Sequence, residues 1–285
     1  MSASGPDPST GDLAVKACVL EVTAPKAGNV HPRCGFADTT WTDFLDAAVA
    51  VAPALDRAAG QPLGVTILDA VRASREKTGK NVNLGIILLL APLATVRRDE
   101  EMREGVRRVL RSLGPEDCAR TYEAIRIADP GGLGDAPEGD VRGEPPDDLI
   151  AAMRLAEDRD LVARQYARDF EDVLDVATPL LQAALQEGTP LQDATVLLHL
   201  QLLERHPDSL IARKCGLEEA REASRRAERV LGAGWPRSDE GLREFDGLDG
   251  WLRETGNRRN PGTTADLVAA TLFLSLRTGI IDPAS

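Results

Sequence analysis

The stretch Leu84-Gly-Ile-Ile-Leu-Leu-Leu-Ala-Pro-Leu-Ala-Thr-Val96 decides the fold class. It is 13 residues long, uncharged and without period-2 alternation. A bilayer-spanning helix needs about 20 apolar residues. This one is too short, contains Pro92, and reads as a helix buried on every side of a protein core. Outward from it, apolar residues recur at helical spacing. Phe44, Leu45, Ala48, Val51, Ala52 and Leu55 share one face of a helix that Thr40 could cap, with Asp43 at its third position and Pro53 as a candidate kink. Leu63, Ile67 and Val71 mark another run over 62–76. Helical patterns also cover 12–23, 99–113, 115–128, 149–187, 191–204, 216–231, 238–254 and 263–277. No period-2 strand and no regular repeat is found. The expectation is an all-α, single-domain multi-helix bundle over 12–281, with residues 1–11 disordered and a Gly/Pro/Asp-rich loop over a site at about 129–148.

Composition narrows the function classes. At 285 residues the chain can bury a substantial core, and 42% hydrophobic with 28% charged residues is a globular balance. Aromatics at 4%, with abundant Ala, Leu, Arg and Glu, favour helix over sheet. A net charge of −12 argues against nucleic acid as a partner. An anionic small molecule would need a local basic cluster or a bound cation. The first twelve residues lack a basic segment followed by an apolar one, so no export signal is visible and no membrane span is expected. Cys18, Cys34, Cys118 and Cys215 show neither metal-type spacing nor a disulfide framework, and read as buried thiols of a reducing cytoplasm.

Four polar clusters interrupt the helices. The first is Glu21-Val-Thr-Ala-Pro-Lys-Ala-Gly-Asn-Val-His-Pro-Arg33, continuing to Asp38, where two prolines and Gly28 predict a stiff extended segment. The second is Lys77-Thr-Gly-Lys-Asn-Val-Asn-Leu-Gly85, which opens the apolar helix and could present free amides to a phosphate, or be ordinary capping by Asn81 or Asn83. The third is His206-Pro-Asp-Ser-Leu-Ile-Ala-Arg-Lys-Cys-Gly216, read as a break in which Asp208 could be an N-cap and Arg213 a solvated charge. The fourth is Asn260-Pro-Gly-Thr-Thr-Ala-Asp266, where Asp266, three after Thr263, could also be a cap. Helix ends of this kind can converge on one pocket. There is no GxxxxGK[ST], HExxH, GxSxG or CxxC run, and three histidines make a His-rich metal site improbable. His199, inside Val-Leu-Leu-His-Leu, reads as a hydrogen-bonded core residue.

At these clusters the sequence resembles the triphosphoribosyl-dephospho-CoA synthase family, all-helical transferases that act on ATP and 3′-dephospho-CoA and release adenine. The matching stretches are Glu21 to Val30, Asn81-Val-Asn-Leu-Gly-Ile, Pro207-Asp-Ser-Leu-Ile-Ala-Arg-Lys-Cys-Gly and Asn260-Pro-Gly-Thr-Thr-Ala-Asp-Leu-Val-Ala, in the family's order. The chain resembles a divergent member of that family. Leu84 stands where the family's lysine does, Asp208-Ser-Leu210 replaces Asp-Thr-Asn, Asn260-Pro-Gly-Thr-Thr replaces Ser-Pro-Gly-Gly-Ser, and Phe36-Ala-Asp38 stands where a histidine is expected.

The resemblance implies a pentosyltransferase that moves a (tri)phosphoribosyl unit from ATP or a related nucleotide to an acceptor hydroxyl such as that of 3′-dephospho-CoA, with Mg²⁺ on the triphosphate. It implies phosphate contacts for Lys26 and Arg213, ribose or phosphate contacts for Asn29 and Asn83, and nucleotide-binding positions at Arg33 and Asn81. Glu21, Asp38, Asp208 and Asp266 become the catalytic candidates, and Asp208 and Asp266 the metal ligands. A homodimer is left open. A metal-dependent nucleotide or phosphoester hydrolase and a non-catalytic helical nucleotide-binding protein are the alternatives.

Overall fold

The computed structural model describes residues 7–130, 141 and 143–284. Its centre is made by two helices with almost no polar side. In α4 (Leu84–Thr95), Leu89, Leu90, Ala91 and Leu93 are wholly inaccessible, as are Val268, Ala269, Ala270, Leu272 and Phe273 of α14 (Gly262–Arg277). Burying each such Leu or Phe side chain contributes about 1.5–3 kcal/mol. Pro92 deprives the Leu88 carbonyl of its usual donor four residues on. The hydroxyl of Tyr166, itself buried, donates to that carbonyl at 2.7 Å.

Around the pair pack α1 (Thr10–Thr23), α2 (Trp41–Asp56), α3 (Leu63–Thr78), α5 (Met102–Arg111) and α6 (Pro115–Ala128). The shell is completed by α7 (Leu149–Ala156), α8 (Leu161–Ala167), a π turn over Asp172–Ala177 and α9 (Thr178–Gln186). A second apolar cluster joins α11 (Ser209–Cys215), α12 (Leu217–Gly232) and α13 (Asp239–Arg253) to Ala24 and Ala27. Between the clusters runs α10 (Leu191–Arg205), giving Ala194, Leu198 and Leu202 to the first and Val196, Leu200 and Leu203 to the second. Among the described residues there is no strand, and no helix is long and apolar enough to cross a membrane.

The expected all-α class is observed, with three local differences. First, α1 starts at Thr10, because Ser9 and Asp12 form a reciprocal cap at 3.0 and 2.9 Å. The expected disorder of 1–11 otherwise falls on 1–6, outside the described residues, as do 131–140 and 142 of the expected loop.

Second, the run 149–187 is not one helix. The first helix ends at Ala156, and Asp160 starts α8 by accepting from the amides of Val162 and Ala163. Asp169 and Phe170 then take positive φ of 51° and 61°, and the chain re-enters through the π turn. Third, 209–215, read as a break, is a helix in its own right. Of the cysteines, Cys18 and Cys118 are buried, while Cys34 and Cys215 are only partly so.

The π turn carries a buried polar tie. Asp172 accepts from Arg164 Nε at 2.7 Å and Gln165 Nε2 at 2.8 Å, and lies 3.4 Å from His206 Nε2 at the end of α10. Burial alone would raise its pKa, but the neighbouring His206 ring and the bonds from Arg164 and Gln165 outweigh this and hold it well below the usual range. A depressed carboxyl stabilises the fold above its unfolded pKa of about 3.9 and loses that contribution as pH falls further. Urea midpoints measured from pH 6 down to pH 2.5 should therefore fall steeply below about pH 4. In Asp172→Asn this acid limb should flatten.

Candidate active site

The helix ends meet around a cavity of about 760 Å³. It is bounded by the last turn of α1, the segment after it, the first turns of α4 and α14, the end of α6, and α7, α8 and α11. Pro130 and Val141, which flank the Gly/Pro/Asp-rich stretch, also line it.

The segment after α1 is stiff for reasons its residues supply. Pro25 ends the helix, with Ala24 extended at φ −71°, ψ 127°. Gly28 has φ +73°, and a Cβ there would lie 2.8 Å from Leu252 Cδ1. Its amide donates to Asp249 at 2.8 Å, and Arg253 pairs with Asp249 and donates to the Asn29 carbonyl at 2.6 Å. Two four-residue turns, His31–Cys34 and Phe36–Thr39, complete the segment.

This fold-back places Lys26 differently from the expectation of a phosphate contact. Its side chain is wholly inaccessible. The ammonium lies 2.9 Å from Glu21 Oε1 and also donates to the carbonyls of Glu21 and, at 3.4 Å, Ala24. Its three donors are thus spent on the end of α1, where a cation suits the helix dipole. Glu21, 4% exposed, lines the cavity with this cation behind it. His199 is buried as expected, but neither ring nitrogen has a partner among the described residues. Burial and then Lys26 push its pKa well below normal, so it is neutral.

Asp208 and Asp266 have opposite settings. Asp208 is fully buried and does not reach the cavity. One oxygen accepts from the amides of Leu210 and Ile211 at 2.8 and 3.0 Å, and the other from the amide and hydroxyl of Thr264 at 2.7 and 2.8 Å. It caps α11 and the first turn of α14 together, and no lone pair is left facing a metal. Asp266, with the cap position taken, makes no hydrogen bond or ion pair with any described residue and faces the cavity. Burial first, then the charges of Glu21 and Asp208, raise its pKa well above the carboxylate norm.

Of the other expected positions, Asn29, Asp38, Asn81 and Arg213 line the cavity. Asn29 donates to Asn260 at 2.6 Å, and its own buried Oδ1 has no partner among the described residues. Asn81 accepts from the Leu84 amide at 3.2 Å. Arg33 points to solvent away from the lining, and Asn83 accepts from Ser74 at 2.7 Å behind α4. Leu84, at the family's lysine position, is apolar lining.

Three charged cavity residues were not singled out from the sequence: Arg159, Asp160 and Lys214. Asp160 pairs with Arg213 at 2.5 Å, and burial followed by Arg213 lowers the pKa of Lys214. The first two lie at the helix break the periodicity concealed. Lys214 carried a signal in being adjacent to Arg213. Among the described residues no group of three or more His, Cys, Asp and Glu side chains is arranged to hold a metal ion.

Comparison with known proteins follows the same lines. The family model described as CitG, ATP:dephospho-CoA triphosphoribosyl transferase, matches residues 8–281. A protein of Stutzerimonas stutzeri named "Probable 2-(5''-triphosphoribosyl)-3'-dephosphocoenzyme-A synthase" is 34% identical over 115 residues, 40% of this chain and 39% of its own length. One of the same name from Pseudomonas syringae pv. tomato is 34% identical over 113 residues, 39% of this chain and 38% of its own. The chain thus spans about two fifths of the length of the curated relatives it matches. A solved structure described as "Crystal structure of putative triphosphoribosyl-dephospho-coA synthase from Archaeoglobus fulgidus" superposes with a TM-score of 0.64 at 28% identity. That match covers 83% of this chain and all of the other.

Enclosure of Lys26 has a measurable cost on removal. Lys26→Met leaves Glu21 buried without its cation and should cost about 3–5 kcal/mol in urea unfolding. Adding Glu21→Gln should recover much of that loss. A side chain that gripped phosphate would instead lose nucleotide affinity with stability intact.

Proposed function

Because the chain belongs to the ATP:dephospho-CoA triphosphoribosyl transferase family, we propose that this cavity transfers the triphosphoribosyl unit of ATP to a ribose hydroxyl of 3′-dephospho-CoA, releasing adenine. The observation that carries the reading is the contrast between two neighbouring carboxyls. Glu21 is ion-paired with a buried lysine, whereas Asp266 has no partner among the described residues and is held toward its protonated form. A carboxylate paired with a cation and a carboxyl without one, in the same cavity, are suited to separate roles.

The transfer breaks the bond between C1′ of ATP and N9 of adenine through a transition state with positive charge on the sugar. The Glu21 carboxylate faces that charge and stabilises it. Asp266 gives its proton to the departing adenine. As the bond from C1′ to the acceptor oxygen forms, the Asp266 carboxylate takes the hydroxyl proton and is restored. Arg213, Lys214 and Arg159 receive the triphosphate, and the apolar wall of Val30, Phe36, Leu84, Tyr122 and Met153 takes base and pantetheine surface.

Mg²⁺ fits this mouth as a partner of the triphosphate. Asp160 pairs with Arg213, and Asp38 is close enough for its charge to act on Lys214, so two hard oxygen donors stand at the basic end. One or two carboxylates completed by phosphate oxygens and water suffice for that ion. It would neutralise phosphate charge there.

Incubation with ATP, Mg²⁺ and 3′-dephospho-CoA should release adenine, read by mass spectrometry, only when acceptor is present. Release into water alone would overturn the transfer. Asp266→Asn should lower turnover by roughly a hundredfold or more while the melting temperature stays nearly constant, because no hydrogen bond is lost. The protonated form starts the reaction, so wild-type turnover should fall as pH rises through the raised pKa of Asp266. The asparagine variant should lack that limb. Arg213→Ala and Lys214→Ala should each weaken ATP binding roughly ten- to a hundredfold by calorimetry, the effect of about 1.5–3 kcal/mol lost from a charged contact.

A further inference from the structure

Gly85, in the first turn of α4, has the ordinary dihedrals of a helix, so backbone conformation does not require glycine there. What requires it is Asp266. For a Cβ built at Gly85, the three nearest heavy atoms all belong to the Asp266 carboxyl. Cγ would lie at 2.5 Å, Oδ1 at 3.2 Å and Oδ2 nearer still. Real Cβ atoms essentially never approach a neighbour as closely as Cγ and Oδ2 would lie, so glycine and carboxyl share a space that only one side chain can fill. The obstacle is the far end of a side chain with rotatable bonds, not backbone.

We infer that Gly85 is a positioning residue: its missing side chain reserves, against the first turn of α4, the place from which Asp266 faces the cavity. Two further observations support this. Asp266 has no hydrogen-bond or ion-pair partner among the described residues, so nothing but packing fixes its rotamer. The Gly85 backbone itself lines the cavity, so the carboxyl is held between this turn and the bound sugar's space. The first-turn amides of a helix also lack partners within it, and an anion left on Asp266 after proton donation is favoured at that end. The glycine therefore does two things. It makes room for the acid, and it brings the acid to a helix end that tolerates its conjugate base.

This inference rests on the catalytic reading of Asp266, and a mutant cycle separates the two. Gly85→Ala, Asp266→Ala and the double variant are compared by adenine release with ATP and 3′-dephospho-CoA, by pH profile and by melting temperature. Alanine is the better helix former, so Gly85→Ala should melt within about 3 °C of wild type. Its turnover should still fall by roughly a hundredfold and lose the high-pH limb. In the double variant, alanine at 85 should cost nothing beyond Asp266→Ala, because both changes act on one group. If Gly85→Ala melts lower, removing the carboxyl should restore it. Turnover of Gly85→Ala within threefold of wild type, multiplying losses in the double variant, or a melting defect that Asp266→Ala leaves in place would each overturn the positioning role. An Asp266→Ala enzyme at full rate would overturn the catalytic reading itself. An inactive Asp266→Ala beside an active Gly85→Ala would overturn the placement alone.

Discussion

A lysine with no access to water has to be satisfied where it stands, and the geometry around the cavity follows from that requirement. Lys26 finds three acceptors within the turn that precedes it, and all belong to the end of α1. To bring it there the chain must reverse directly after Pro25, which fixes the start of the segment carrying Asn29, Asp38 and the two tight turns. A buried charge left alone would be worth several kcal/mol of destabilisation, so the ion pair specifies one conformation more than it adds net stability. Its product is a carboxylate, Glu21, held in place beside a space open to ligands.

The same economy of means recurs at Asp208. One carboxylate caps two helices and so sets α11 against the first turn of α14. Arg213 and Lys214 ride on the first of these helices and Asp266 on the second, so basic mouth and acid floor are registered through a group that reaches neither the cavity nor solvent. The clamp of Asp249 and Arg253 on the Gly28–Asn29 backbone does the corresponding work from α13.

Much of this was legible in the sequence. The runs at 84–96 and 263–277 have no polar face, and a helix without a polar face has to be central. Thr40 with Asp43 at α2, and Asp208 at α11, announced caps through residue type alone, because a cap is settled within four residues. The clusters at the helix ends pointed to a shared cavity, and Glu21, Asn29, Asp38, Asn81, Arg213 and Asp266 do line it. What stayed hidden depends on long-range geometry. The charge of Lys26 is visible, but the direction of its side chain is set by a chain reversal. The break at Asp160 lies inside continuous helical periodicity, so nothing in the pattern set Arg159 and Asp160 apart. Asn83 resembled its motif neighbours, and only the packing of α3 on α4 turns it toward Ser74.

Pro92 and Tyr166 draw a different kind of consequence. The proline opens a vacancy in the hydrogen-bond ladder of α4, and the phenol from α8 fills it across 78 positions of sequence. Neither residue makes sense without the other. Restore an amide at 92, and the helix takes back its carbonyl while a hydroxyl is stranded in apolar surroundings. Remove the hydroxyl at 166, and the carbonyl is stranded instead. Two such positions are not free to drift separately over evolutionary time. In the lineage of this fold they are expected to covary, proline in company with tyrosine, or an ordinary helix former in company with phenylalanine.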